Sequence, residues 1–185
     1  DQFVATSCQE FVGREAVLAQ LTRLVLGAES AAGQRGVCVV GPPGSGKSAL
    51  FAELCRRLRS SNVLLLAYAA GIGPRGGEVD AVLHRFCFEL AGALGIPDPS
   101  EQIRGRDELR EAFATLLVRA SAERRVVCLI DALNQLERTP SGMHSTWILD
   151  RWPENARLIA TAIPGSESEG LLVRRPWMGS LTLDP

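Results

Sequence analysis

Gly41-Pro42-Pro43-Gly44-Ser45-Gly46-Lys47-Ser48 is the stretch on which the reading of this chain turns. It has the spacing G-x-x-x-x-G-K-[ST], that of a phosphate-cradling loop. Its flanks agree with that reading. Before it runs Val37-Cys38-Val39-Val40, a short apolar run of β type. After it, Leu50, Phe51, Leu54, Cys55 and Leu58 recur at helical spacing. Strand, glycine loop and helix form the geometry such a loop needs. Gly41, Gly44 and Gly46 allow the backbone to turn and come close to a phosphate, and successive N–H groups at the helix start face the anion. The candidate nucleotide-binding residues are therefore Gly41, Pro42, Pro43, Gly44, Ser45, Gly46, Lys47, Ser48 and Ala49. Lys47 would reach the β- and γ-phosphates, and the Ser48 hydroxyl would ligand Mg²⁺.

Composition sharpens the point. Of the 20 basic residues only one is a lysine, and it is Lys47. An ammonium is a compact charge, whereas a guanidinium is a planar fork, so the lysine stands where phosphate chemistry wants it. The remaining composition excludes more than it assigns. A net charge of −1 gives no electrostatic case for nucleic acid or a membrane surface. No apolar run approaches the ~18 residues of a membrane span. Cys8, Cys38, Cys55, Cys87 and Cys128 are odd in number and lack any C-x-x-C pair, which argues against a disulfide framework or a zinc site. The expectation is a reducing, intracellular, cytoplasmic setting. At 185 residues the chain is long enough for one domain with a real core. Without an initial Met or a signal peptide, it reads as a segment of something longer.

Residues 1–10 are a lead-in without pattern, and 11–185 form the expected nucleotide-binding domain. A helix is expected from Glu15 through Leu26, then a loop from Gly27 to Gly36. A second strand is expected from Asn62 to Ala69, apolar throughout as a strand buried on both faces should be. After a glycine-proline loop from Gly71 to Gly77, Val79, Val82, Leu83, Phe86, Leu90 and Leu94 mark one amphipathic helix. Leu109, Ala112, Phe113, Leu116, Leu117 and Ala120 mark another. Val126 to Asp131 and Ala156 to Ala162 read as the third and fourth strands, with a short fifth at Leu181-Thr182-Leu183. Strands alternating with helices give an α/β fold. It is a three-layer α/β/α sandwich of the P-loop NTPase type around a mainly parallel five-stranded sheet.

A phosphate loop needs a partner for its metal, and Val127-Cys128-Leu129-Ile130-Asp131 supplies the pattern: an apolar strand ending in a carboxylate that would hold Mg²⁺. Hydrolysis needs more, a base or an orienter for water. No acid adjoins Asp131. Asn134 can hydrogen-bond a water but cannot take its proton, and Glu137 is the next carboxylate. Thr161, near the end of the fourth strand, is placed either to sense a γ-phosphate or its water, or simply to end the strand. Lys47, Asp131, Asn134 and Thr161 are the candidate catalytic residues, with Ser48 and Asp131 as candidate metal ligands. Arg174-Arg175 reads as a solvated pair, His84 and His144 as structural. Trp147, Trp152 and Trp177 read as packing at the rim of the sheet.

Three stretches carry a family resemblance: Phe11-Val12-Gly13-Arg14-Glu15, Gly41 to Ser48, and Leu129-Ile130-Asp131-Ala132-Leu133-Asn134-Gln135-Leu136. Together they resemble a NACHT-type domain of the STAND class of signalling NTPases, most closely the nucleotide-binding domains of telomerase protein component 1 and nephrocystin-3-like proteins. The resemblance implies ATP or ADP with Mg²⁺ as cofactors, and Val12, Gly13 and Arg14 as contacts on the adenine side. It also implies partners of three kinds: the nucleotide, flanking domains of a longer chain, and a homo-oligomer or protein complex on activation. The family's helical lid, winged-helix part and repeats have no counterpart in these residues. Asn134 stands where many members carry an acid, and Ala162-Ile163-Pro164 where many carry an arginine.

The reading that follows is a nucleotide-dependent conformational switch in a larger signalling or scaffold protein, with slow hydrolysis. Two alternatives stay open. A small-molecule kinase would use the same loop, with Arg104, Arg106 and Arg110 pressed into service as a lid. A degenerate P-loop domain would be an interaction platform only. A GTPase is excluded, because its guanine-reading N-K-x-D element requires a second lysine.

Overall fold

The computed structural model describes residues 14–27, 33–72, 76–138 and 147–184. In chain order they form α1 (Glu15–Leu26), β1 (Gly36–Val40), α2 (Lys47–Leu58), β2 (Leu64–Ala69) and α3 (Val79–Leu94). A short 3-10 turn (Pro99–Gln102), α4 (Arg106–Glu123), β3 (Val126–Asp131) and a second 3-10 turn (Leu133–Arg138) come next. β4 (Ala156–Ala162), α5 (Glu167–Val173) and β5 (Met178–Thr182) close the fold. The five strands pair in parallel in the order β2-β3-β4-β1-β5. Among the described residues no helix is long and apolar enough to cross a membrane.

Side chains alternate across the strands and sort the core into two layers. Val37 and Val39 of β1 join Leu18 and Leu21 of α1 and Leu50, Phe51 and Leu54 of α2 on one face. Cys38 and Val40 join Phe86 of α3, Phe113 of α4 and Leu172 of α5 on the other. Truncating a fully buried member such as Leu54 to alanine would cost about 2–5 kcal/mol, by lost transfer energy and a residual cavity. The expected α/β/α sandwich is therefore the observed one. Its functional consequence lies in the connections. From β1 the chain leaves through α2 on one face toward β2, and from β4 it leaves through α5 on the other face toward β5. Connections that part in opposite directions open a crevice at the carboxyl ends of β1 and β4, where ligands bind in such sheets.

Three expectations are corrected. β2 begins at Leu64 rather than Asn62. The Ser61 and Val63 amides are taken by local turn carbonyls, and pairing starts where the Leu64 amide donates to the Arg125 carbonyl at 2.8 Å. β2 lies at the edge of the sheet, and its apolar run packs on both faces, Leu66 and Tyr68 in one layer of the core and Leu65 and Ala67 against the other. β5 spans Met178–Thr182, earlier than Leu181 to Leu183, because its partner β1 sets the register from Gly36 opposite Met178. The tryptophans are deeper than a rim. Trp147, Trp152 and Trp177 are all buried. Rings 5.2 Å apart stack Trp152 on Trp177, and Phe113 lies 6.4 Å from Trp152. These rings belong to the core beneath α3 and α4.

Candidate functional site

Three neighbouring strands deliver the site. β1 runs into Gly41, β3 ends at Asp131, and β4, lying between them, carries Thr161. The register sets Val39 opposite Thr161 and Ile130 opposite Ala160. The loop is anchored at its base, where the Gly41 amide donates to the Ala162 carbonyl at 3.3 Å and the Leu183 amide to the Val40 carbonyl at 2.7 Å. A Cβ at Gly41 would lie 2.5 Å from the Ser45 Oγ and 3.0 Å from the Leu183 carbonyl oxygen, so only glycine fits. Gly46 takes φ 82° at the head of α2, a left-handed conformation with open space around it.

The start of α2 is left open. Gly46 offers no side chain to cap it, and there is no acid in its first turn. α1, α3, α4 and α5 each carry an acid in the first turn, so among the described helices at α2 alone the first amides face no local carboxylate and are available to an anion, with the helix dipole behind them. The Lys47 Nζ donates to the Gly41 and Pro42 carbonyls at 2.7 and 2.8 Å and lies 3.5 Å from the Ser45 Oγ. Its ammonium is held across the mouth of the loop, where an arriving phosphate would replace neutral acceptors with a charged one. Burial lowers the Lys47 pKa from the usual lysine value, and the nearby Asp131 opposes that shift.

Asp131 is 3% exposed. Its Oδ1 accepts the Thr161 hydroxyl at 2.5 Å, and the same hydroxyl accepts the Ala132 amide at 2.8 Å. Among the described residues Ala132 is the one non-glycine with positive φ, at 56°. Its carbonyl receives the Gln135 amide at 2.8 Å, so the 3-10 turn carrying Asn134 starts from it. Thr161 is therefore bound to the end of β3, through the Asp131 carboxylate and the Ala132 amide.

The residues present fit a magnesium nucleotide. The cradle is open where a Cβ would close it, the α2 amides are uncapped, and the Asp131 Oδ2 has no hydrogen-bond donor among the described residues. Hard oxygen donors, the Ser48 hydroxyl and the Asp131 carboxylate, are those Mg²⁺ takes beside substrate phosphates. Among the described residues no group of three or more His, Cys, Asp and Glu is placed to hold a metal ion.

Other expected residues fall differently. Val12 and Gly13 lie outside the described residues, as do Cys8 and His144. Arg14 binds the phosphate loop itself, donating to the Ser45 carbonyl at 3.0 Å and the Asp184 carbonyl at 2.5 Å. Arg104 donates to the Glu101 and Ile103 carbonyls and Arg106 pairs with Asp80 at 3.0 Å, so these two arginines secure the start of α4. Arg175 is corrected from a solvated residue to a largely buried one, paired with Asp150 at 2.6 Å, while Arg174 is exposed. Cys38, Cys55, Cys87 and Cys128 are all buried, and burial pushes Cys38 and Cys87 up to about 12 and raises Cys128 as well, so those three are inert.

Sequence reasoning missed two supports. Glu53, 6% exposed on α2, accepts Arg56 at 2.7 Å and Arg57 at 2.8 Å, and Arg57 reaches Glu15 of α1 at 3.0 Å. The i,i+3 and i,i+4 spacing of Glu53, Arg56 and Arg57 was a visible signal for it. The hydrogen bonds from Arg56 chiefly, and from Arg57, hold the Glu53 carboxyl down at about 2. Arg125 and Arg157 cap the end of α1, for which no local pattern exists.

Comparison with known proteins agrees with this geometry. The family model described as the AAA ATPase domain matches residues 10–143. No curated protein matches the chain. Among solved structures, Drosophila ORC bound to DNA aligns with a TM-score of 0.63 and 16% identity, over 99% of this chain and 46% of that one. The Aeropyrum pernix ORC1 protein in complex with DNA aligns with a TM-score of 0.55 and 18% identity, over 97% of this chain and 47% of that one. These likenesses are of fold, and this chain spans about half the length of the structures it matches. The chain belongs to the AAA ATPase domain family.

Proposed function

We propose that this member of the AAA ATPase domain family binds Mg·ATP at Gly41 to Ser48. On this reading it acts as a slow nucleotide-dependent switch within a larger signalling or scaffold protein of the cytoplasm. The observation that supports it most is the pairing of an uncapped α2 N-terminus bearing Lys47 with the shielded Asp131 two strands away. Mg²⁺, held by Ser48 and Asp131, would neutralise charge on the phosphates. Lys47 binds and orients those phosphates. Slow turnover follows from what succeeds Asp131: Ala132 carries no polar side chain, and Asn134 orients water without accepting its proton.

The NACHT-type subdivision is part of the proposal. It rests on Phe11 to Glu15 and Leu129 to Leu136, and is consistent with Arg14 reaching from α1's start to the phosphate loop. The partners proposed are the nucleotide, flanking domains and, on activation, further copies of the chain. The two similar solved structures hold DNA. With a net charge of −1, this segment has little counterion release to drive such binding, so nucleotide is the ligand we assign. Isothermal titration of wild type and Lys47→Ala with Mg·ATP tests the reading, together with phosphate release expected below ~1 s⁻¹. Equal binding by the two proteins would sink it.

A further inference from the structure

We infer that the Thr161 hydroxyl is a positioning group that aims Asp131 at the cation and sets the turn leading to Asn134. On this inference it is not a donor to the terminal phosphate. The inference rests on the nucleotide-binding reading above and deepens it.

Proton accounting carries the argument. The Ala132 N–H can only donate, so at 2.8 Å the Thr161 Oγ1 must accept from it. The Asp131 carboxylate, in the form a cation requires, can only accept, so at 2.5 Å the Thr161 proton lies on the line to Oδ1. A hydroxyl has one proton. None remains for a phosphate oxygen or a water, and Thr161 is only 2% exposed. The bond fixes one carboxylate oxygen and leaves Oδ2 for the metal side, as outer partners orient metal-binding carboxylates elsewhere. The second bond acts on the backbone. Ala132 at φ 56° is in the left-handed region that a residue with a Cβ rarely adopts. It is held from one side by Thr161 and from the other by the Gln135 amide at 2.8 Å on its carbonyl. Thr161 thus couples the direction of the Asp131 carboxylate to the path of the chain that places Asn134 two residues on.

The experiment is titration of wild type, Thr161→Val and Thr161→Ser with ADP and with ATP, each in Mg²⁺ and in EDTA. For Thr161→Val the ratio of affinity in Mg²⁺ to affinity in EDTA should fall roughly tenfold or more, and equally for ADP and ATP. Thr161→Ser should restore it, and Thr161→Val should add nothing in an Asp131→Asn background. A loss confined to ATP would assign Thr161 to the terminal phosphate and overturn the inference, as would an unchanged ratio in Thr161→Val. Should Thr161→Val not fold, Thr161→Cys, a weaker donor of similar shape, carries the same test with the same sign. Failure of wild type to bind either nucleotide would instead overturn the nucleotide-binding reading, which separates the two failures.

Discussion

The start of α2 and the end of α1 present the same chemical problem and meet it in opposite ways. A helix end exposes backbone groups that the helix itself cannot satisfy. At the end of α1 they are taken by side chains from across the sheet. The Arg157 Nε donates to the Leu24 carbonyl at 3.1 Å, and one Arg125 nitrogen donates to the Val25 and Gly27 carbonyls at 2.8 and 2.6 Å. Arg157 is 3% exposed, and burial, followed by the nearby Arg125 and Arg35, lowers its pKa. At the start of α2 nothing is taken: no cap, no acid, and the chain's single lysine beside open amides. A closed helix end is structure. An open one, next to a shielded carboxylate, is a place for something not made of protein.

The contrast can be broken at either end. The largest expected effect is on the open end: Lys47→Ala should weaken Mg·ATP by roughly 100-fold, from the loss of charge-assisted bonds to phosphate. Its urea midpoint should stay near that of wild type. At the closed end the signs exchange. Arg157→Met keeps the apolar stem but orphans the Leu24 carbonyl, so it should cost about 1–3 kcal/mol in urea unfolding while titration finds nucleotide affinity within twofold. Gly46→Ala sharpens the comparison, because it forces a Cβ into φ 82° at the head of α2. A loss of roughly 1–2 kcal/mol in thermal unfolding is expected, with weaker nucleotide binding alongside.

The smallest effect concerns Glu53, which ties the two helices through Arg57 and Glu15. Glu53→Gln should cost about 1 kcal/mol at neutral pH. Its pH signature is more telling than its size. The folded carboxyl sits at about 2, against an ordinary value of 4.5. Its contribution is therefore present above pH 4.5 and lost as pH falls from there toward 2. Stability of the wild type should fall across that window more steeply than that of Glu53→Gln, as urea midpoints at successive pH values would show.

Legibility in the sequence followed the range of each interaction. β1, α2, α3, α4, β3 and β4 were all readable, because apolar periodicity and the glycine loop are local signals. β2 was right in type and began two residues later than expected, since an apolar run reports helices above and below but not where pairing starts or that the strand lies at the edge. Arg125 and Arg157 cap a helix about a hundred residues or more away in sequence, and nothing local predicts such a bond. The position of Thr161 along β4 was visible in the sequence, whereas its bonds to Asp131 and to the left-handed turn at Ala132 were not.

By itself, then, the amino-acid sequence determined that this chain builds a parallel α/β sheet with a phosphate-binding loop, lysine and glycines in place. The loop's chemistry is written in eight consecutive residues, and steric demands on glycine are local. Only the tertiary structure decided how that loop is surrounded. The strand order sets β4 between β1 and β3, so the hydroxyl of Thr161 meets the carboxylate of Asp131 instead of the space above the sheet. A hydrogen bond between residues thirty positions apart exists only once strand pairing has fixed their register.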